Sequence, residues 1–212
     1  MNIAIVGAGI IGNKRAKSLS KDDKLISICD VNLNSAKRLA QTYSAQYTND
    51  YKDIALDNTI DSVIISVTNK YLMPISILML ENNKNVLCEK PLGRNYKESV
   101  RIVETANKYK KLIKTGFNHR FHPAVIKTKS VIESGDIGGI MNIRAVYGHG
   151  GRTGMENEWR CSKDLCGGGE LLDQGVHLID LINFFTNQSV TEVFGNIATH
   201  YWDIEVEDNV FF

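Results

Sequence analysis

Cysteine, net charge and long apolar runs are all scarce in this chain, and each scarcity closes off a class of protein. The four cysteines, Cys29, Cys88, Cys161 and Cys166, are too few and too irregularly spaced for a secreted disulfide framework. Cys29 and Cys88 end strand-like runs and read as small buried apolar residues. The net charge is +1 and the basic residues are spread out, so neither a nucleic acid nor a membrane surface is an expected partner. No apolar run approaches the ~18 residues that span a bilayer. Strand-like residues begin at Asn2, which leaves no room for a basic-then-apolar signal sequence, so the expected compartment is the cytoplasm. Repeats and low-complexity stretches are absent.

What is present is the composition of an ordinary globular protein, 43% apolar and 23% charged over 212 residues. Short apolar runs alternate with longer amphipathic segments up to residue ~117, the pattern of a parallel sheet covered by helices. Strands are predicted at 2–6, 24–29, 61–67, 84–88 and 111–116. Helices are predicted at 10–20, 34–43, 73–82 and 96–110, with Asn32 and Asn34 as caps. Beyond residue ~120 the grammar becomes α+β. A helix-like stretch at 123–134 leads through the turn "GDIGG" to a long predicted strand, "IMNIRAVYGHG" (140–150). A helix "VHLIDLINFF" and strand-like runs at 189–202 and 205–212 follow. The chain stops in mid-strand on Val210-Phe211-Phe212, so the second domain is expected to be incomplete, and an apolar edge left there favours association of chains.

Four motifs carry chemistry. "VGAGIIG" sets Gly7, Gly9 and Gly12 in the GxGxxG spacing between a strand and a helix. Gly7 permits the turn, Gly9 admits a pyrophosphate to the backbone, Gly12 lets helix and strand pack, and the helix N-terminus attracts phosphate. Asp30 ends the second strand, where an acid binds ribose hydroxyls. Its carboxylate repels the 2′-phosphate of NADP, which makes NAD the expected cofactor and NADP the poorer fit.

"CEKPL" (88–92) falls at the carboxyl edge of the sheet, with Lys90 held extended by the proline after it. "GFNHRFHPA" (116–124) joins the two domains, and its Arg120 is suited either to an anionic or hydroxylated ligand or to a carboxylate partner. His119 and His122 read as packing or hydrogen-bonding residues.

"GGGELLDQGVHLID" (167–180) combines three glycines with Asp173 and His177, four apart and thus on one face if the helix has begun. The carboxylate can fix the tautomer of the imidazole and raise its basicity, as a general base requires. Alternatively Asp173 caps the helix and His177 is a satisfied buried histidine. Asp180 reads as structural. Cys161, Cys166, His149, Asp173 and His177 could in principle surround zinc, but the cysteine spacing is wrong for a paired site and no metal is expected.

Taken in order, "GAGIIG", "CEKPL", "GFNHRFHPA", "EWR", "GGGELLDQGVHLID" and "EVEDNVFF" resemble the Gfo/Idh/MocA family, the glucose-fructose oxidoreductase and inositol dehydrogenase group, over residues 2–212. The resemblance implies an α/β fold: a Rossmann doubly wound parallel sheet to about residue 118, then at 119–212 a partial α+β substrate and oligomerisation domain with a mostly antiparallel open sheet. It implies that Lys90, Asp173 and His177 line the substrate site. It also implies that Gly7, Gly9, Ile10, Ile11, Gly12, Asp30, Val67, Thr68, Asn69, Glu89 and Lys90 surround the cofactor.

Two departures stand out. The family commonly has Thr-Pro-Asn and a histidine where this chain reads "VTNKYLMP", and family members usually continue for about a hundred residues more.

The expected activity is NAD-dependent hydride transfer to or from a secondary alcohol of a sugar, nucleotide sugar or cyclitol. Arg120, Arg152, Trp159 and Arg160 are candidate substrate contacts, and a homo-oligomer through the C-terminal sheet is expected. The rivals are a non-catalytic dinucleotide- or sugar-binding regulator and an inactive NAD-binding fragment of such an enzyme. The three glycines of the last segment are expected to leave bare backbone where substrate and nicotinamide approach.

Overall fold

A computed structural model describes residues 1–212, which divide into two compact units, 1–116 and 117–212. In the first unit the elements are β1 (Asn2–Val6), α1 (Ile10–Lys17), β2 (Lys24–Cys29), α2 (Leu33–Tyr43), β3 (Gln46–Thr48), α3 (Tyr51–Leu56), β4 (Ser62–Ile65), α4 (Asn69–Glu81), β5 (Asn85–Cys88), α5 (Tyr96–Tyr109) and β6 (Ile113–Thr115). The six strands are all parallel in the order β3-β2-β1-β4-β5-β6. The order reverses at β1 and β4, the switch point at which doubly wound sheets take their ligands.

The period of two along each strand decides which core a side chain joins. Ile3 and Ile5 of β1, with Ile64 of β4, face α1 and α2 and pack on Ala16, Ala36, Leu39 and Ala40. Ala4, Val6, Val63 and Ile65 point the other way, against Leu72, Ile75, Met79, Ile102 and Ala106 of α4 and α5. Both faces are covered, which is why these strands read as continuous apolar runs rather than alternating ones.

Helix ends follow local chemistry where it is strong. Asn32 caps α2 by accepting the N–H groups of Asn34 and Ser35, and Asn95 caps α5 by accepting that of Glu98. Helix α4 starts at Asn69, four residues before the predicted start. Pro74 therefore lies inside the helix. Two short elements, β3 and α3, were not predicted at all. Each is too short to show a period, and β3 is an edge strand with little buried side chain.

The second unit contains α6 (Pro123–Ser134), the four-residue α7 (Lys163–Cys166), a π-helical turn at Leu171–Gly175, α8 (Val176–Thr186) and an antiparallel pair, β7 (Asn196–Ala198) with β8 (Asn209–Phe211). The predicted long strand at 140–150 does not form as a strand, and of the run 189–202 only β7 is one. Alternating apolar residues favour an extended backbone, but a strand exists only where a neighbour accepts its hydrogen bonds. Met141 (99% exposed) and Val146 (89%) accordingly face solvent. No helix is long and apolar enough to cross a membrane.

Candidate functional site

Because all strands of the first sheet run in one direction, their carboxyl ends bring the predicted cofactor residues to a single edge. The chain leaves β1 through a hydrogen bond from Gly7 N–H to the Cys29 carbonyl (2.8 Å) and leaves β4 through one from Ser66 N–H to the Val6 carbonyl (2.8 Å). Gly7 has φ +101°, and a Cβ there would collide with the Ser66 carbonyl; a Cβ on Gly12 would collide with the Gly7 carbonyl. Gly9 differs from both, since nothing lies within 4 Å of where its Cβ would stand. Asn13, on the first turn of α1, donates to the Ala8 and Gly9 carbonyls (2.8 and 2.9 Å) and fixes the loop from below. Ile10 and Ile11 open α1 and are exposed.

Asp30, the first residue after β2, accepts the Ala8 N–H on one carboxylate oxygen (2.7 Å) and the Asn32 N–H on the other (2.8 Å). Its carboxylate is thereby tethered to the glycine turn, and no side-chain cation is bonded to it. The arrangement fits a dinucleotide: a turn closed to its own side chains but open above Gly9, a helix N-terminus without a side-chain cap, and an acid at the ribose end.

Val67, Thr68 and Asn69 connect β4 to α4, with Thr68 at the N-cap and Asn69 buried. Glu89 and Lys90 leave β5, Glu89 through its N–H to the Ile65 carbonyl (2.9 Å), and the Lys90–Pro91 peptide is cis. Glu89 is engaged within the protein: its Oε1 accepts Arg15 Nε at 2.5 Å, and both side chains are mostly buried.

In the second unit the glycine-rich segment has a structural task that sequence reading had assigned to ligand approach. Gly167, at φ +87°, ends α7 in the left-handed conformation, and Gly169 lies so close to the Glu207 backbone that a Cβ would collide with its carbonyl. Glu170 N–H bonds that same carbonyl (2.9 Å), and Leu171 N–H bonds the Glu207 carboxylate (3.2 Å). Gly169 therefore faces its own chain, and at that position close packing, not ligand approach, requires the glycine.

The π turn at Leu171–Gly175 carries Asp173, whose carboxylate lies 3.5 Å from Arg160 Nε. His177 lies on the first turn of α8 and is 5% exposed. Its ring stacks on His119 (centroids 4.0 Å apart, planes inclined 19°) and meets Phe117 and Tyr147 edge-on at 6.0 and 6.3 Å.

The candidate substrate arginines are all held by carboxylates of their own unit. Arg120 makes a two-pronged pair with buried Asp180 (2.8 and 2.5 Å), whose hydrogen bonds push the guanidinium pKa further up. Arg152 grips Glu158 in the same way (2.8 and 2.7 Å), and Arg160 lies between Glu158 (3.8 Å) and Asp173, over the Trp159 ring at 4.5 Å.

Comparison with known proteins decides the relationship. The family model described as "Oxidoreductase family, NAD-binding Rossmann fold" matches residues 1–117, and the "GFO/IDH/MocA C-terminal domain" model matches residues 125–212. The chain belongs to the Gfo/Idh/MocA oxidoreductase family. It is 30% identical over 144 residues to inositol 2-dehydrogenase of Salmonella paratyphi B, covering 65% of this chain and 43% of that one. Trans-1,2-dihydrobenzene-1,2-diol dehydrogenase of Xenopus tropicalis is 28% identical over 188 residues, 86% of this chain and 56% of its own length. Among solved structures, an NAD-binding protein from Listeria innocua superposes with a TM-score of 0.83 at 25% identity, covering 99% of this chain and 61% of that one. The chain thus spans roughly half the length of the curated relatives it matches, and its cofactor is NAD.

Within this Gfo/Idh/MocA member, sequence reading overlooked Arg15, Asn13, Ser66 and Tyr147 as neighbours of the motif residues. None of them has a motif spacing. Only their contacts with Glu89, Gly9, Gly7 and His177 mark them out.

Proposed function

We propose that this chain is the NAD-binding and proton-transferring part of a dehydrogenase that oxidises a secondary alcohol of a sugar, nucleotide sugar or cyclitol, or catalyses the reverse reduction. Bound NAD supplies the hydride acceptor. His177 takes the hydroxyl proton, Lys90 holds the substrate oxygen and stabilises its alkoxide character, and Asp173 orients the imidazole or the substrate. Gly7, Gly9 and Gly12 shape the pyrophosphate turn, and Asp30 accepts the ribose hydroxyls.

The observation that carries this reading is His177 itself: a nearly fully buried imidazole on the first turn of a helix, with its ring boxed by aromatic neighbours from other segments. A binding protein has no need of a base so held. Inositol 2-dehydrogenase among the relatives supports a polyol substrate.

The test is NADH formation across inositols, free sugars and nucleotide sugars. Turnover with one class is expected, and Lys90→Met is expected to reduce it far more than it weakens NAD binding. NAD binding without turnover on any alcohol would favour a regulator, and equal loss of binding and turnover in Lys90→Met would remove that residue from its role.

A further inference from the structure

We infer that His119 is a positioning residue for His177, setting the plane in which the base presents its ring nitrogens; the inference rests on the reading of His177 as the base. A histidine's outer side-chain torsion is broad, so its own rotamer preferences leave the ring plane loosely defined. In this chain the plane is defined from outside. His119, in the 3-10 turn Asn118–Phe121, lies face to face with His177 at 4.0 Å with only 19° between the planes. Tyr147, from the segment 140–150, stands edge-on to both rings, 5.4 Å from His119 at 76° and 6.3 Å from His177 at 80°. Phe117 adds a second edge, 6.0 Å from His177 at 79°.

Rotation of the His177 ring out of its plane would drive it into a stacked face and two edges at once. These are the offset and T-shaped geometries that aromatic rings prefer, and they come from two separate segments. The 3-10 turn is anchored in its turn by the Arg120–Asp180 pair, which ties the residue after His119 to the residue one turn along α8 from His177. The stack and the ion pair therefore brace the same two elements. A base must direct its lone pair at one proton, and a fixed ring plane is the part of that requirement these contacts supply.

Two variants of the full chain test this by nuclear magnetic resonance of the imidazole protons, with His177→Asn to identify the His177 signals, and by steady-state kinetics. His119→Ala is expected to remove the upfield displacement that stacking imposes on the His177 ring protons. It is also expected to lower turnover roughly 10- to 100-fold, the effect of a small misplacement of a reacting group, with NAD affinity unchanged. His119→Phe, which keeps a flat ring, is expected to restore both. His177 signals unmoved in His119→Ala, or a Phe variant as impaired as the Ala variant, would overturn the inference. If the wild-type chain turns over no alcohol, the functional reading fails and the ring signals alone decide: displaced in His119→Ala they support the positioning role, and unmoved they end it.

Discussion

Arg15, two turns into the helix that follows the glycine loop, is bonded through its guanidinium to Glu89 at the end of β5, and Gly116 supplies the space beside them. A Cβ on Gly116 would lie 2.7 Å from the Glu89 carboxylate and 2.8 Å from the Arg15 guanidinium. The pair joins the cofactor helix to the segment that carries Lys90, and it occupies a carboxylate that the motif alone had assigned to cofactor contact.

Breaking that pair from one side leaves a mostly buried charge without its partner. Arg15→Met is expected to destabilise the protein by about 1–3 kcal/mol. Arg15→Met combined with Glu89→Gln is expected to recover part of this, because no orphan charge remains. Urea unfolding of the two single variants and the double variant measures the coupling; strict additivity would show that the contact contributes nothing.

Gly9 and Gly12 separate the two tasks of the glycine loop. Gly9→Ala meets open space, so stability is expected to change by no more than about 0.5 kcal/mol, while NAD affinity falls about tenfold or more, or 1.4 kcal/mol. Gly12→Ala places a methyl group against the Gly7 carbonyl and is expected to cost about 1–3 kcal/mol of stability. Thermal melts beside NAD titrations distinguish them; a Gly9→Ala protein with unchanged NAD affinity would remove the pyrophosphate from that turn.

Cys29 and Cys88 are pushed up to about 12, first by burial, with Asp30 adding to the effect at Cys29 and Glu89 at Cys88. Both folded values lie above the unfolded thiol value of ~8.5, so their contribution is complete below that pH and is lost as pH rises towards the folded value. Melting temperature is expected to fall between about pH 9 and 12, less steeply in Cys88→Ala. All four thiols are buried, and they are expected to resist alkylation until denaturant is added.

Asp208 organises the turn between β7 and β8. Burial raises its pKa, but backbone N–H bonds from Trp202, His200 and Tyr201, each 2.8 Å, outweigh that and bring it well below the usual carboxylate range. A depressed value gives stability that is present above the unfolded pKa of ~3.9 and lost as pH falls through the folded one. Asp208→Ala is expected to cost about 1–3 kcal/mol at neutral pH by leaving amides unpaired. Hydrogen exchange at 200–202 should accelerate in that variant, and unchanged protection there would contradict the account.

By itself the sequence determined the doubly wound sheet, the position of Asp30 after β2, the Asn32 cap and the glycine loop, because each rests on interactions between residues close along the chain or on a short fixed spacing. Periodicity, capping and turn chemistry are local, and they survive in a linear string. Tertiary structure decided what the local pattern leaves open. Arg120 was suited to a ligand or a carboxylate until Asp180 closed on it, and Gly169 was expected to clear a path for ligands until Glu207 filled the space. The run 140–150 has the residues of a strand without a partner to make it one, and His119 gains its meaning only from the ring it covers, 58 positions along the chain. Charge pairing, close packing and stacking depend on what arrives from distant parts of the chain, and no spacing along it records that arrival.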